Sequence, residues 1–192
     1  MHAEGLTEAS APREPLRRAL AARAPRRLPH GATKAAAVLA PLFERGGEAH
    51  VWLVRRPQSM RSHAGQVAFP GGKHDPLDPT LLATALREAN EELGIDPGDV
   101  DVLGSLDDIN TITGFTISPW VGWLSRDVPV RPNPTEVERA FAAPLRAFLQ
   151  PQTGSWPRHG WTIDGELVWG ATAAIVRDFV AIVRELGGSV DQ

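Results

Sequence analysis

The sequence predicts an α/β fold, and three observations carry that prediction. Short apolar runs bounded by Gly, Pro, Asn and Asp stand on both sides of one central helical segment. In that segment Leu82, Ala85, Leu86, Ala89 and Leu93 recur at helical spacing and form an inward face. A second helical pattern, through Ala174, Ile175, Phe179, Ile182 and Val183, closes the chain. At 192 residues, one domain with a substantial core is favoured over two.

Taken in order, residues 1–30 are rich in Ala, Pro and Arg, and Leu16 to Ala24 forms a short helix candidate that Pro25 and Pro29 interrupt. They read as a mobile or loosely docked arm ahead of a domain spanning residues 31–192. The functional alternative is a basic arm that helps a homodimer form or reaches an anionic substrate. Ala35 to Phe43 reads as a buried strand, Glu44-Arg45-Gly46-Gly47-Glu48 as a turn, and Ala49 to Val54 as the returning strand. Gln66 to Phe69 is a short strand running into Pro70-Gly71-Gly72. Asp78 is expected to cap the central helix, with Pro79 at its first position and Gly94 just past its end. Val100 to Leu106 and Gly114 to Leu124 read as strands joined by the polar segment Asp107 to Thr111. Pro144 to Leu149 reads as a short helix. Trp156 to Ile163 and Glu166 to Trp169 read as strands around an Asp164-Gly165 turn. Trp169-Gly170-Ala171-Thr172-Ala173 then opens the last helix.

Composition narrows the function. A net charge of −3 argues against a nucleic-acid partner, which calls for a basic footprint. The absence of cysteine excludes disulfides, thiol nucleophiles and cysteine metal sites. No apolar run reaches the length of a membrane span, and the N-terminus lacks a hydrophobic signal core, so a cytoplasmic location is expected.

The chemistry concentrates in Arg87-Glu88-Ala89-Asn90-Glu91-Glu92-Leu93-Gly94. Each helical residue advances about 100°, so Glu88, Glu91 and Glu92 share roughly a third of the circumference. Like charges at this spacing cost about 0.2–0.5 kcal/mol per pair. A solvated acidic face is the plain explanation; a divalent cation is the functional one. Oxygen ligands without Cys or paired His point to Mg²⁺ or Mn²⁺ rather than zinc. Upstream, Arg55, Arg56 and Arg61 suit anion clamping, since guanidinium forks match phosphate oxygens, and Arg56 and Arg61 are the substrate-binding candidates. Gly71 and Gly72 let the backbone approach a ligand or metal closely.

Gly72, Asp78 and Arg87-Glu88-Ala89-x-Glu91-Glu92-x-Gly94-Ile95 together resemble the Nudix box, G-x5-E-x7-R-E-U-x-E-E-x-G-U with U aliphatic. Asp78 stands at the first acidic position, its gap to Arg87 is one residue longer than the consensus, and Ala89 occupies the U position. Leu53-Val54-Arg55-Arg56, then Arg61, Gly65, Val67 and Phe69-Pro70-Gly71-Gly72 resemble the segment that precedes the box in the coenzyme A pyrophosphatase branch. The Trp169-Gly170-x-Thr172-Ala173 entry is similar to that branch as well. The resemblance implies an α/β/α sandwich around a mixed sheet, with the catalytic helix after the Phe-Pro-Gly-Gly loop. It implies metal-dependent hydrolysis of a pyrophosphate linkage, with Glu88, Glu91 and Glu92 as ligands of Mg²⁺ or Mn²⁺ and Arg87 fixing a box carboxylate. Glu136, in Asn133-Pro134-Thr135-Glu136-Val137, becomes the candidate general base or additional metal ligand. The branch implies coenzyme A as the small-molecule substrate, cut into 3′,5′-ADP and 4′-phosphopantetheine. The competing readings are another Nudix substrate, such as ADP-ribose or NADH, and a non-catalytic ligand sensor.

Overall fold

The structure is a computed structural model and describes residues 13–29, 33–59, 63–125, 127, 129–155 and 157–188. In chain order its elements are α1 (Arg13–Ala22), β1 (Lys34–Arg45), β2 (Glu48–Arg55), β3 (Val67–Ala68), β4 (Gly71–Lys73) and α2 (Leu81–Leu93). They continue with β5 (Val100–Ser105), β6 (Ile109–Asn110), β7 (Phe115–Leu124), β8 (Arg139–Pro144), α3 (Leu145–Leu149), β9 (Trp161–Ile163), β10 (Glu166–Val168) and α4 (Gly170–Gly188).

The centre is β1, whose near-continuous burial reflects cover on both of its faces. It runs parallel to β7 and antiparallel to β2 and β4. Among the described residues β1 to β8 form one mixed sheet along the path β3-β2-β1-β7-β5, with β4 beside β1, β6 beside β7 and β8 beside β2. Alternation along β1 divides the core. Ala40 and Leu42 join Leu16 and Leu20 of α1, Leu53 of β2 and Phe179 of α4 on one face. Ala37 and Leu39 meet Ala85 and Ala89 of α2 on the other. Helices thus cover both faces of a mixed sheet, the sandwich that the resemblance implied.

Three strands escaped the sequence reading. β4 is a glycine strand with little propensity of its own, and β6 is only two residues long. β8 is alanine-rich, yet it pairs with β2 from His50↔Pro144 to Arg55↔Arg139, so tertiary pairing overrides a weak local preference. β9 begins at Trp161; Trp156, at the start of the expected strand, lies outside the described residues. The cap of α2 is Thr80, not Asp78: its Oγ1 accepts the Ala83 N–H at 3.1 Å from an extended backbone. Gly94 ends the helix at φ 67°, the left-handed turn expected of it.

The structure describes only part of the arm. Residues 1–12 lie outside the described residues, but 13–29 are docked along the sheet. Leu16 and Leu20 of α1 are buried in the main core. Beyond α1, Arg23 binds Asp178 of α4 at 2.9 Å and Asp107 at 3.2 Å. The carboxylate of Asp108, 1% exposed as a residue, accepts from Arg27 at 2.8 Å, the Leu28 N–H at 3.0 Å and the Ser118 hydroxyl at 2.8 Å. A buried carboxylate needs such partners, and the arm supplies two of the three. The polar partners of the arm named here, Asp107, Asp108 and Asp178, each lie more than 75 residues from it in the chain, beyond the reach of local sequence patterns. Among the described residues no helix is long and apolar enough to cross a membrane.

Leu16→Ala should therefore lower the unfolding free energy by about 2–5 kcal/mol, the usual cost of a fully buried leucine. Urea denaturation checks this; a loosely docked arm would leave the midpoint where it was.

Candidate active site

The acidic edge of α2 is built by laying the helix along β4. A Cβ on Gly71 would come 2.6 Å from the Val38 Cα of β1, so only glycine lets β4 pair so closely there. A Cβ on Gly72 would sit 2.5 Å from the Glu88 carboxyl carbon, so the missing side chain leaves the space that the Glu88 carboxylate fills. One turn further along α2, Glu92 accepts the Gly71 N–H at 3.1 Å. Arg56 donates from Nη2 to the Gly71 carbonyl at 3.0 Å, and the same nitrogen lies 3.7 Å from Glu92 Oε1.

The third acid arrives from a separate loop. The last turn of α2 leaves carbonyls without helical partners. The Asn133 N–H bonds to Glu92 O at 2.9 Å, and the Arg131 N–H bonds to Leu93 O at 2.7 Å. The loop thereby caps the helix and brings Glu136 alongside it. Asn133 shapes the turn, its Oδ1 accepting from the Thr135 N–H at 3.1 Å, while its Nδ2 donates to Glu136 at 3.3 Å. Glu88, Glu92 and Glu136 each bring a carboxylate oxygen to within 4.8 Å of the other two.

Desolvation governs the electrostatics of this cluster. Burial pushes Glu92 up to about 7, against the opposing pull of Arg56 and the Gly71 N–H. Burial raises Glu88 as well, with Arg87 pulling the other way. Asp78 is held down to about 2, chiefly by hydrogen bonds from Arg87. Arg87 binds Asp78 at 3.0 Å, Glu88 at 2.9 Å and Glu91 at 2.9 Å, which raises its own pKa above the ordinary arginine value.

The expected residues thus divide. Glu88, Glu92 and Glu136 converge, and Arg56, Gly71 and Gly72 adjoin them. Glu91 stands apart, its side chain 47% exposed and its carboxylate on Arg87. It lies about 100° round the helix from Glu92, so α2 cannot turn both toward β4. Arg61 lies outside the described residues. Asn133 was missed as a contributor, although an Asn-Pro-x-Glu turn carries that signal in its spacing.

Three carboxylate oxygens without nitrogen or sulfur donors fit a hard divalent cation that binds oxygen at about 2.1 Å. Fold and site define a class: an α/β/α protein presenting an acidic cluster on the edge of its central helix. The NUDIX domain model matches residues 33–161, and the chain belongs to the Nudix hydrolase family. It is 39% identical over 166 residues to the uncharacterized Nudix hydrolase NudL of Cronobacter sakazakii, covering 78% of this chain and 83% of that one. The NudL of Yersinia enterocolitica is 41% identical over 153 residues, covering 74% and 77%. Among solved structures, the NUDIX domain of Shewanella oneidensis NrtR, determined with ADP ribose, superposes with a TM-score of 0.57 at 17% identity, covering 85% of this chain and 96% of that one. A C. elegans Ap4A hydrolase complex gives a TM-score of 0.53 at 15% identity, covering 82% and 97%. These two likenesses establish the shared fold.

Gly72→Ala should force the Glu88 carboxylate aside and weaken Mn²⁺ binding, measured by calorimetry. The melting temperature should fall less than for Gly71→Ala, where the added methyl meets backbone rather than a movable side chain. Glu92 also makes stability pH-dependent. Its folded value of about 7 lies above the ordinary 4.5. Between those values the native state keeps a proton that the unfolded chain has released, so stability falls as pH rises through the interval. His50, lowered by burial, acts in the opposite direction. The readout is therefore wild type minus Glu92→Gln in chelator: the wild type should lose about 3 kcal/mol relative to the variant across that interval. Mn²⁺ should reverse the loss, because binding requires the ionised carboxylate.

Proposed function

We propose that this Nudix hydrolase cuts the pyrophosphate linkage of coenzyme A or a close derivative, releasing 3′,5′-ADP and 4′-phosphopantetheine. The observation that carries the reading is the position of Arg56. It belongs to the segment from Leu53 to Gly72 that resembles the coenzyme A branch, and it lies against Gly71 and Glu92 at the acidic cluster. A guanidinium there is placed to meet a phosphate oxygen, and Arg61, five residues further along the sequence, adds a second cation to the same basic segment.

Glu88, Glu92 and Glu136 hold Mg²⁺ or Mn²⁺ in this reading. A bound cation of this kind offsets diphosphate charge and lowers the pKa of a coordinated water. The chain's own residues do the rest. Gly71 and Arg56 keep the Glu92 carboxylate facing the cluster. Arg87 holds Glu88 by a direct ion pair, and Glu91 contributes through the same guanidinium. Glu136 completes the ligand set from a loop whose position the end of α2 fixes. No side chain need form a covalent intermediate.

Incubation of the protein with coenzyme A and Mg²⁺ or Mn²⁺ should yield the two named products by chromatography and mass spectrometry. Glu92→Gln and Glu88→Gln should each lose at least about tenfold in turnover, the lower end of what altered metal surroundings cost. Turnover of ADP-ribose or NADH in place of coenzyme A would keep the acidic cluster and discard this substrate. No turnover of any of them, with Mn²⁺ bound, would favour a ligand sensor.

A further inference from the structure

Beyond Arg87, the hydrogen-bonded chain that holds Glu88 continues through two residues that neither the sequence motifs nor the family reading uses. Thr84 lies one turn before Glu88 on the same edge of α2 and is fully buried. Its hydroxyl is 2.8 Å from Asp78 Oδ2 and 2.8 Å from His74 Nδ1. Asp78, ionised at any ordinary pH, only accepts. The hydroxyl proton therefore goes to Asp78, because otherwise two acceptor oxygens would face each other at hydrogen-bond distance. That leaves the Thr84 oxygen as an acceptor, and the His74 Nδ1 must carry the proton that reaches it.

The result is a directed chain: His74 donates to Thr84, Thr84 to Asp78, and Arg87 clamps Asp78 while holding Glu88. His74 is anchored at its own end, its backbone N–H donating to Ala35 O at 3.0 Å just beyond β4. That bond ties the end of β4 to β1, and the His74 contact with Thr84 ties it to α2, two residues after Gly72 packs on Glu88. Without Thr84, Asp78 keeps, among the described residues, only the longer Asp75 N–H bond, at 3.4 Å, as a neutral donor, and the carboxylate that orients the Arg87 guanidinium is less tightly set.

We infer that Thr84 and His74 are positioning residues that set the Asp78–Arg87 pair, and through it the Glu88 carboxylate, with His74 fixed as the Nδ1–H tautomer. The inference rests on Glu88 as a metal ligand, and the test separates the two. Mn²⁺ affinity is measured by electron paramagnetic resonance for wild type, Glu88→Gln, Thr84→Val, Thr84→Ser, His74→Leu and His74→Asn, with melting temperatures alongside. Thr84→Val and His74→Leu should weaken Mn²⁺ binding by about tenfold or more. Thr84→Ser, which keeps the hydroxyl, and His74→Asn, whose amide donates from nearly the place of Nδ1, should restore most of it. Nitrogen chemical shifts of His74 in the metal-free protein should report the Nδ1–H tautomer. If Glu88→Gln binds Mn²⁺ like wild type, the reading of Glu88 as a ligand fails. If Glu88→Gln is weakened but Thr84→Val and His74→Leu bind normally at a lower melting temperature, the two residues serve stability alone and the inference falls. His74 lies in a half-buried position, so its variants keep the test decisive should Thr84→Val not fold.

Discussion

Glu92 is a carboxylate taken almost wholly out of water, with one peptide N–H at 3.1 Å and a guanidinium nitrogen at 3.7 Å to offset the loss. Those partners do not restore its ordinary acidity, and the two neighbouring acids add to the burden rather than relieving it. Moving such a group into low dielectric costs several kcal/mol unless opposite charge arrives. A cluster of this kind is poor design for stability alone. Its arrangement makes sense where a divalent cation supplies the missing charge and the site is held ready for it.

Holding it ready takes a stiff frame, and much of the rest of the chain supplies one. Arg55 of β2 and Arg139 of β8 are direct cross-strand partners, and like charges opposed in that way repel. Glu166 of β10 answers both, at 3.2 Å and 3.0 Å, which fastens the β9–β10 hairpin beside the strands that lead into the Arg56 loop. The buried hydroxyl of Thr172 donates to Val67 O at 2.9 Å and ties the start of α4 to β3. On the same face as α4, the arm is fastened through Asp108 and Asp178. These ties meet no substrate; they restrict where Arg56, Gly71 and α2 can move relative to one another.

How much of this was legible in the sequence follows from the range of each determinant. The α2 face, its Gly94 stop and the β1–β2 hairpin depend on residues a few positions apart, and periodicity and turn chemistry reveal them. β8 and the docked arm depend on pairings across the fold, with weak local propensity, and nothing nearby in the chain announces them. The site shows the same division. Helical spacing put Glu88, Glu91 and Glu92 in one arc, but an arc of about a third of the circumference is wider than the strip that β4 faces. Where Gly71 and Gly72 meet α2 decides that Glu88 and Glu92 point inward and Glu91 outward. Asp78 read as a cap because Asp-Pro before a helix is a capping signal; Thr80 won the position, leaving Asp78 to Arg87.

The separation of Glu91 from Glu136 has a consequence for how charge is distributed. Had all three helix glutamates faced the cluster, the site would have rested on one rigid element, with its ligand spacing set by helix geometry alone. Instead one of the three carboxylates comes from a loop that is itself fastened to the last carbonyls of α2, by the Asn133 and Arg131 peptide groups. The helix end thus fixes both the second carboxylate and the position of the third. Glu91, freed from that edge, shares Arg87 with Glu88 and Asp78, so three acids divide one guanidinium. That sharing holds Arg87 in place without neutralising Glu88 fully. A site that must attract a cation and then admit a polyanionic diphosphate needs both properties: acids fixed in position, and negative charge left over for a metal to balance.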